Sequence, residues 1–273
     1  MAEASPPGSA GVSPAHERAG GPRSQDILKV EGLVKRFGGL VATDGLSLDV
    51  REGEVHALIG PNGAGKTTLI AQLSGFLRSD AGRIEFAGRD ITLLPAAARV
   101  RLGLARSFQI TSVLRDFTAL DNVALAEQAR QGHSFRFWRP ARADRSLRGP
   151  AGAALDAVGL AHRADDPAAS LSHGEQRQLE VAMALACDPR LLLLDEPMAG
   201  MGPEESARMV DLLRSLRGQR TMLLIEHDMD AVFALADRIT VLVYGRAIAT
   251  GTPAEIRANP EVRTAYLGEA EGG

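Results

Sequence analysis

A glycine-rich stretch at residues 60–68 constrains the fold of this chain more than any other feature. Its sequence, GPNGAGKTT, fits the phosphate-binding pattern G-x-x-x-x-G-K-[ST]. The apolar run at residues 54–59 predicts a buried strand before the stretch, and residues 67–73 predict the start of a helix after it. Because the motif requires this strand–loop–helix order, the sequence predicts an α/β fold that holds a nucleotide's phosphates at the loop.

Each residue type in the loop has a physical reason for its position. Glycines let backbone N–H groups approach phosphate oxygens without side-chain clashes, and the N-terminus of the following helix adds partial positive charge. We expect Lys66 to reach the β- and γ-phosphates and the hydroxyl of Thr67 to bind magnesium. A chance glycine-rich turn is the alternative, and the flanking strand and helix argue against it. The predicted nucleotide-binding residues of the loop are Gly60, Pro61, Asn62, Gly63, Ala64, Gly65, Lys66, Thr67 and Thr68.

Composition limits the other functions open to the chain. Its 273 residues carry a net charge of −3, from 31 basic and 34 acidic residues, so overall charge gives no reason to expect nucleic-acid binding. No apolar run approaches the about 18–20 residues of a membrane-spanning helix, so work at a membrane would need another chain to span it. The single cysteine, Cys187, excludes an internal disulfide and a cysteine-based zinc cluster, and its apolar neighbours favour a core position.

The order of sequence patterns predicts several regions along the chain. Residues 1–25 are rich in Ala, Pro, Gly and Ser, and this composition predicts a disordered tail. Short strand patterns at period two follow in residues 27–50, and residues 117–131 and 151–161 carry helical periodicity. The arginine-rich stretch 133–148 contains aromatic residues, and a solvated surface loop is favoured there over nucleic-acid or membrane-headgroup contact.

Two later apolar runs end in charged residues. Residues 190–194 lead into Asp195 and Glu196, and residues 221–225 lead toward His227. Continuous apolar runs are typical of parallel strands buried on both faces, and ligands bind at the carboxyl ends of such strands. The sequence therefore predicts a second group of site residues near the phosphate loop.

Phe37 stands near the end of an early predicted strand, beside Gly38 and Gly39. An aromatic ring in that place is suited to stack on an adenine base, and ordinary half-buried packing explains it equally well. The residues alone leave both interpretations open.

Taken together, these elements resemble the nucleotide-binding subunits of ABC transporters over residues 27–267. The resemblance implies a P-loop NTPase core, a mostly parallel sheet flanked by helices, with an N-terminal antiparallel β-subdomain and an inserted α-helical subdomain. It places the nucleotide-binding domain at residues 26–270 and its helical subdomain at about 109–188. The matching segments are Walker A at 60–67, the Q-loop at Gln109, the signature motif at 171–176, Walker B at 191–196 and the H-loop at His227.

The resemblance also implies a role for each polar residue of the site. Glu196 is the expected general base for the attacking water, and His227 is expected to hydrogen-bond the γ-phosphate and hold the water in place. Thr67 and, through water, Asp195 are expected to hold Mg²⁺, while Gln109 completes the metal sphere and senses the γ-phosphate. A buried ion pair for Glu196 and a satisfied core histidine for His227 are the alternatives.

The signature residues imply that the chain works as one of a pair. Ser172, Gly174 and Glu175 begin a helix, which is a natural anion site, yet one set of phosphates already has its loop. In the family each signature motif serves the ATP of the partner, which implies a head-to-tail homo- or heterodimer. Two positions depart from the family pattern: His173 replaces the usual second glycine, and Gly202 stands where many relatives have an aspartate.

Within the family the chain is most similar to the branched-chain or hydrophobic amino-acid uptake group. The resemblance implies an ATPase that uses ATP and Mg²⁺ to energise an importer from the cytoplasmic face of the inner membrane. Its expected partners are a second ATP-binding subunit, transmembrane permease subunits and, indirectly, a substrate-binding protein, with no nucleic acid. Urea or short-amide uptake, lipopolysaccharide export and a non-transport ABC ATPase remain as alternatives. The similar segments are 36–40, 105–109, 171–176, 196–201, 225–229, 251–253 and 265–269.

Overall fold

The computed structural model describes residues 26–107, 113–131 and 144–264. Their strands form a four-stranded antiparallel sheet and a six-stranded, mostly parallel sheet. This mixed architecture confirms the predicted fold class. The strands are β1 (Asp26–Phe37), β2 (Leu40–Arg51), β3 (Val55–Ile59), β4 (Ala81–Phe86), β5 (Arg89–Asp90), β6 (Leu104–Arg106), β7 (Leu191–Asp195), β8 (Thr221–Ile225), β9 (Arg238–Val243) and β10 (Arg246–Gly251).

Helices fill the connections between the strands. Within the described residues, no helix is both long and apolar enough to cross a membrane. The helices are α1 (Lys66–Ser74), α2 (Ala96–Arg101), α3 (Ala119–Gln131), α4 (Arg145–Ala157), α5 (His173–Ala186), α6 (Pro203–Leu216), α7 (Met229–Leu235), α8 (Pro253–Ala258) and α9 (Pro260–Val262), with 3₁₀ turns at Ala161–Arg163 and Ala168–Ser170.

The antiparallel sheet has the strand order β2-β1-β4-β5. The period-two pattern of the sequence predicted two short strands where the structure has the single strand β1. The pairing of β1 with β2 shifts register between Val30 and Leu33, close to Gly32 with its positive φ of 58°. A bulge of this kind bends a strand and moves side chains to the other face without ending the pairing. The interrupted pattern therefore marks a bulge rather than a strand end.

The larger sheet has the order β10-β9-β3-β8-β7-β6. Strands β9, β3, β8, β7 and β6 run parallel to one another, and β10 pairs antiparallel with β9. Strands β3, β7 and β8 are buried along their whole length, as their apolar sequences require. Since Leu58 and Asp195 both pair with Ile225, the carboxyl ends of these three strands meet at one edge.

Helices α3, α4 and α5 pack against one another, in the stretch for which the sequence predicts a helical subdomain. Helix α4 begins at Arg145, capped by Asp144, whereas its periodicity predicted a start near residue 151. The reason is Pro150 inside the helix, because proline usually marks a helix start. The predicted disordered tail and most of the arginine-rich stretch lie outside the described residues.

A buried arginine holds the far end of α1. The Arg99 guanidinium donates to the carbonyl oxygens of Gln72 (2.7 Å) and Leu73 (2.8 Å), in the last turn of α1, and to those of Leu94 and Thr92. Burial lowers the pKa of Arg99 to about 10, so the group stays charged at neutral pH. A cation at a helix C-terminus is favourable, and this one fixes the helix that follows the phosphate loop.

Candidate functional site

The phosphate loop joins β3 to α1 at the carboxyl edge of the parallel sheet. Gly60 and Gly65 have positive φ angles of 156° and 101°. A Cβ atom on Gly60 would lie 2.1 Å from the carbonyl oxygen of Leu242, and one on Gly65 would lie 2.2 Å from that of Ala42. Only glycine fits at these two positions, because both the backbone angles and the neighbouring carbonyls exclude a side chain.

The ammonium group of Lys66 is held inside this loop. Its Nζ donates to the carbonyl oxygens of Gly60 (2.6 Å) and Pro61 (3.1 Å), and the residue is buried. Burial lowers the pKa of Lys66, while the charges of Glu196 and Asp195 act in the opposite direction. The loop thus holds a cation at the start of α1, and a cation at a helix N-terminus suits a phosphate.

Glu196 follows β7 in a left-handed backbone conformation, with a φ of 51°. Its N–H donates to the carbonyl oxygen of Ile225 at 2.9 Å, and its Oε1 lies 2.6 Å from Nε2 of His227. A left-handed conformation costs a non-glycine residue of order 1 kcal/mol, and such strain is concentrated at functional sites. The strained turn directs the carboxylate toward the histidine at the end of β8.

A cleft of about 260 Å³, which we call the loop cleft, brings most of the predicted residues together. Phe37 stands in its wall with 47% of its surface exposed. Of the other predicted residues, Gly60 and Pro61 hold Lys66 from behind, and Gln109 lies outside the described residues. The cleft is lined by Phe37, Leu40, Ala42, Asn62, Gly63, Ala64, Gly65, Lys66, Thr67, Thr68, Glu196 and His227.

Asp195 is buried beside this cleft, and only one of its two carboxylate oxygens accepts a hydrogen bond from a described residue. Its Oδ2 accepts from Nη2 of Arg106 at 2.9 Å, while its Oδ1 is buried and has no hydrogen-bond partner among the described residues. Burial raises the pKa of Asp195, and Arg106 opposes this shift. A buried carboxylate oxygen without a partner and the hydroxyl of Thr67 are the donors that a hard cation such as Mg²⁺ prefers.

The described residues contain no group of three or more His, Cys, Asp and Glu side chains that could hold a metal. Magnesium usually takes one or two carboxylates and completes its shell with water and substrate phosphates. The sequence reasoning did not assign Arg106 a role. The feature that could have identified Arg106 is its position as a basic residue at the end of a short buried strand, next to the strand that carries Asp195.

Glu226 is a second residue whose role sequence reasoning missed. Its Oε1 accepts from the N–H of Met198 at 2.9 Å, and its Oε2 accepts from the N–H of His227 at 3.1 Å. The side chain is buried, and burial raises its pKa. This carboxylate ties the segment after β7 to the end of β8, and so supports the contact between Glu196 and His227.

The three signature residues predicted to bind nucleotide lie apart from the loop cleft. Ser172 caps α5: its Oγ accepts from the N–H of Glu175 at 3.2 Å, and its own N–H donates to Oε2 of Glu175 at 2.8 Å. They line a second cleft of about 250 Å³, which we call the signature cleft and which shares no residue with the loop cleft. It is lined by Gly159, Leu160, His162, Ser172, Gly174, Glu175, Gln178, Met201, Glu205 and Arg208.

Comparison with known sequences gives matches along most of the chain. The family model described as "ABC transporter" matches residues 43–199, and a model for the branched-chain amino acid ATP-binding cassette transporter matches residues 248–272. The chain is 42% identical over 254 residues to the high-affinity branched-chain amino acid transport ATP-binding protein LivG of Salmonella typhimurium. It is equally similar to BraF of Pseudomonas aeruginosa, and both alignments cover 90% of this chain and 100% of the relative.

Solved structures resemble the fold as a whole. A nucleotide-free ATP-binding cassette from an ABC transporter aligns with a TM-score of 0.80 and 32% identity, over 89% of this chain and 99% of that chain. An ATP-binding cassette of an ABC transporter in its ADP conformation aligns with the same TM-score and coverage at 33% identity. A dimeric cassette of a bacterial ABC transporter, at 22% identity and a TM-score of 0.72, shares the fold.

Proposed function

The chain belongs to the ABC transporter family of ATP-binding subunits, and from that premise we propose that it energises the uptake of branched-chain or other hydrophobic amino acids. The proposed cargo rests on the names of its relatives LivG and BraF, and on the second family model at residues 248–272. Relatives of this class are ATPases, and the chain is an enzyme of the same class.

The contact between Glu196 and His227, in the cleft that also holds Lys66, carries the catalytic part of the proposal. Lys66 and the loop N–H groups neutralise charge on the γ-phosphate, which lowers the barrier to attack by water. Glu196 accepts the proton of that water, and His227 orients the carboxylate and hydrogen-bonds the phosphate. These roles account for a strained glutamate at a strand end that faces a lysine.

We assign magnesium to the buried oxygen of Asp195 and the hydroxyl of Thr67, with Gln109 as a further predicted ligand. When bound, the ion supplies neutralisation of charge on the phosphate oxygens. Arg106 holds the other oxygen of Asp195 and so fixes the orientation of the carboxylate.

We assign the adenine base to the half-exposed ring of Phe37 at the loop cleft. Nζ of Lys35 lies 5.6 Å from the ring centroid, within the range of a cation–π contact that orients the ring. The exposed surface of the ring is then available for stacking on the base.

We further propose that two such subunits close head to tail on two ATP molecules. Ser172, Gly174 and Glu175 lie in the signature cleft, which shares no residue with the loop cleft. The signature cleft of each subunit therefore binds the nucleotide that the loop of the other subunit holds. In the proposed assembly the cassette spans residues 26–270, with its helical subdomain at about 109–188, and it binds permease subunits at the cytoplasmic face of the membrane. A substrate-binding protein delivers the cargo to those subunits.

Replacing the chromosomal copy by the variant Glu196→Gln, in the cells that produce the chain, tests the proposal. We expect uptake of radiolabelled leucine to fall to background while uptake of labelled urea is unchanged. Affinity purification of the tagged wild-type chain should recover membrane-spanning permease subunits. Unchanged leucine uptake would contradict the proposed cargo, and recovery of no membrane protein would contradict the importer itself.

A further inference from the structure

We propose that Glu205 covers the signature cleft and sets how much ATP is needed to close the pair of subunits. This inference rests on the composite site proposed above, in which Ser172 and Gly174 bind the phosphate of a partner's ATP. Glu205 lies in the first turn of α6, and the family assignment gives it no role in the reaction.

The carboxylate of Glu205 lies directly over the start of α5. Its Oε2 accepts from the N–H of Gly202, the residue that caps α6, at 3.3 Å. Its Oε1 accepts from Oγ of Ser172 at 3.5 Å. A Cβ atom on Gly174 would lie 2.6 Å from Oε1 and 2.7 Å from the carboxyl carbon. One oxygen therefore serves the cap while the other occupies the space above Gly174, which is buried although Ser172 beside it is exposed.

A phosphate at the signature would need that same space. The N-terminus of a helix attracts an anion, and here the Glu205 carboxylate already supplies one at α5. A γ-phosphate that accepts from the Ser172 hydroxyl would meet the carboxylate at close range. Two like charges 4 Å apart repel by about 1 kcal/mol even with the dielectric constant of water. The carboxylate must therefore move before the pair of subunits can close.

The Glu205 side chain can move to a favourable position near Arg208. Arg208 lies three residues further along α6 and lines the same cleft, so its guanidinium is within reach of a glutamate that rotates away from Gly174. Glu205 is thus a removable cover that competes with the incoming phosphate. If Glu205 were only the cap of α6, its charge would have no influence on nucleotide-driven pairing.

Glu204 provides a matched control for this distinction. It carries the same charge in the same helical turn, but it is exposed and does not line the signature cleft. Replacement of either glutamate by glutamine removes one charge and retains an oxygen that can accept a hydrogen bond. Only Glu205→Gln should change the charge above Gly174.

The test measures ATP-driven dimerisation of the full chain by light scattering, in a Glu196→Gln background that consumes little ATP. We expect Glu205→Gln to lower the ATP concentration for half-maximal dimerisation by about fivefold, the equivalent of about 1 kcal/mol. Glu204→Gln should leave it unchanged. The difference between the two should shrink from about 0.05 M to about 1 M NaCl, because salt screens the repulsion.

The outcomes separate the inference from the proposed function. The proposed role of Glu205 would be overturned if Glu205→Gln needed as much ATP for dimerisation as Glu204→Gln, or more. The composite site would not be affected by that result. Absence of ATP-driven dimers in every variant would overturn the composite site and the cover with it. If Glu205→Gln does not fold, Glu205→Asp is measured instead. Its side chain is shorter and does not reach Ser172, so it should also lower the ATP concentration needed for dimerisation.

Discussion

The loop cleft and the signature cleft of this chain are both suited to phosphate, yet the charged groups next to their helix starts, Lys66 and Glu205, have opposite signs. The loop cleft is lined by Lys66, whose ammonium group donates to the carbonyl oxygens of Gly60 and Pro61. In the signature cleft the N–H and the hydroxyl of Ser172 are both bonded to carboxylates, those of Glu175 and Glu205. On the proposed roles, the loop of one chain binds a nucleotide by itself, while its signature becomes available only after the Glu205 carboxylate is displaced.

The two clefts also differ in their support. The loop cleft stands on the ends of buried parallel strands, and Arg99 fixes the far end of the helix behind it. Ser172 in the signature cleft is exposed, at the start of a helix. A fixed loop suits a pair in which ATP binds first to the loop of one subunit and the signature of the second then closes over it.

The largest expected effect is on turnover at the loop cleft. Glu196→Gln removes the proposed proton acceptor and should lower the rate of ATP hydrolysis by about 10³-fold, while binding of ATP stays intact. A phosphate-release assay and a fluorescent-nucleotide titration measure the two quantities. Glu204→Gln is the control with no expected loss. A variant Glu196→Gln that retains more than half of the wild-type rate would contradict the assignment.

The next effect concerns the rigid support of the loop cleft. Arg99→Met removes the buried guanidinium that donates to the carbonyl groups of Gln72 and Leu73 and should lower the free energy of unfolding by about 3 kcal/mol. Arg101→Met, at an exposed position of the same helix, should change it by less than about 0.5 kcal/mol. Urea denaturation measures both, and equal stabilities of the two variants would show that Arg99 does not hold α1.

A smaller effect is expected on nucleotide affinity. Lys66→Ala removes the cation of the loop cleft and should weaken binding of ATP to the isolated chain about 30-fold, since a hydrogen bond to a charged group contributes about 2 kcal/mol. Isothermal titration calorimetry measures the affinity. An unchanged dissociation constant would contradict the assignment of the loop.

The smallest effect is expected for a change in the signature cleft. Ser172→Ala removes the cap of α5 and should lower the free energy of unfolding by about 1 kcal/mol. It should leave the affinity of the isolated chain for ATP unchanged, because Ser172 lies outside the loop cleft. A loss of affinity comparable with that of Lys66→Ala would mean that the signature serves the nucleotide of its own chain.

Much of the loop cleft was predictable because its signals are local. The phosphate motif lies within nine consecutive residues, and the runs that end in Glu196 and His227 identify buried parallel strands by composition alone. Parallel strands bring their carboxyl ends to one edge, so neighbouring strand ends place distant residues together. The prediction for Gln109 stays a prediction, because that residue lies outside the described part of the chain.

The residues that support the two clefts could not be predicted in the same way. Arg106 contacts Asp195 across 89 positions of sequence, and Glu205 reaches Ser172 across 33. Such contacts depend on which elements become neighbours and on side-chain orientation, and no local pattern encodes either. Glu226 looked like an ordinary end of a strand, although its two oxygens join separate segments.

The central claim is that the loop of one subunit works with the signature of another, and mixing two inactive variants tests it directly. Lys66→Ala disables the loop, and Gly174→Asp disables the signature by adding a carboxylate where a Cβ alone would meet Glu205 at 2.6 Å. A mixed pair contains one intact combination of loop and signature. Equal mixing should therefore restore roughly a quarter of the wild-type ATPase rate if pairing is random. A mixture that hydrolyses ATP no faster than the two variants measured separately would contradict the account.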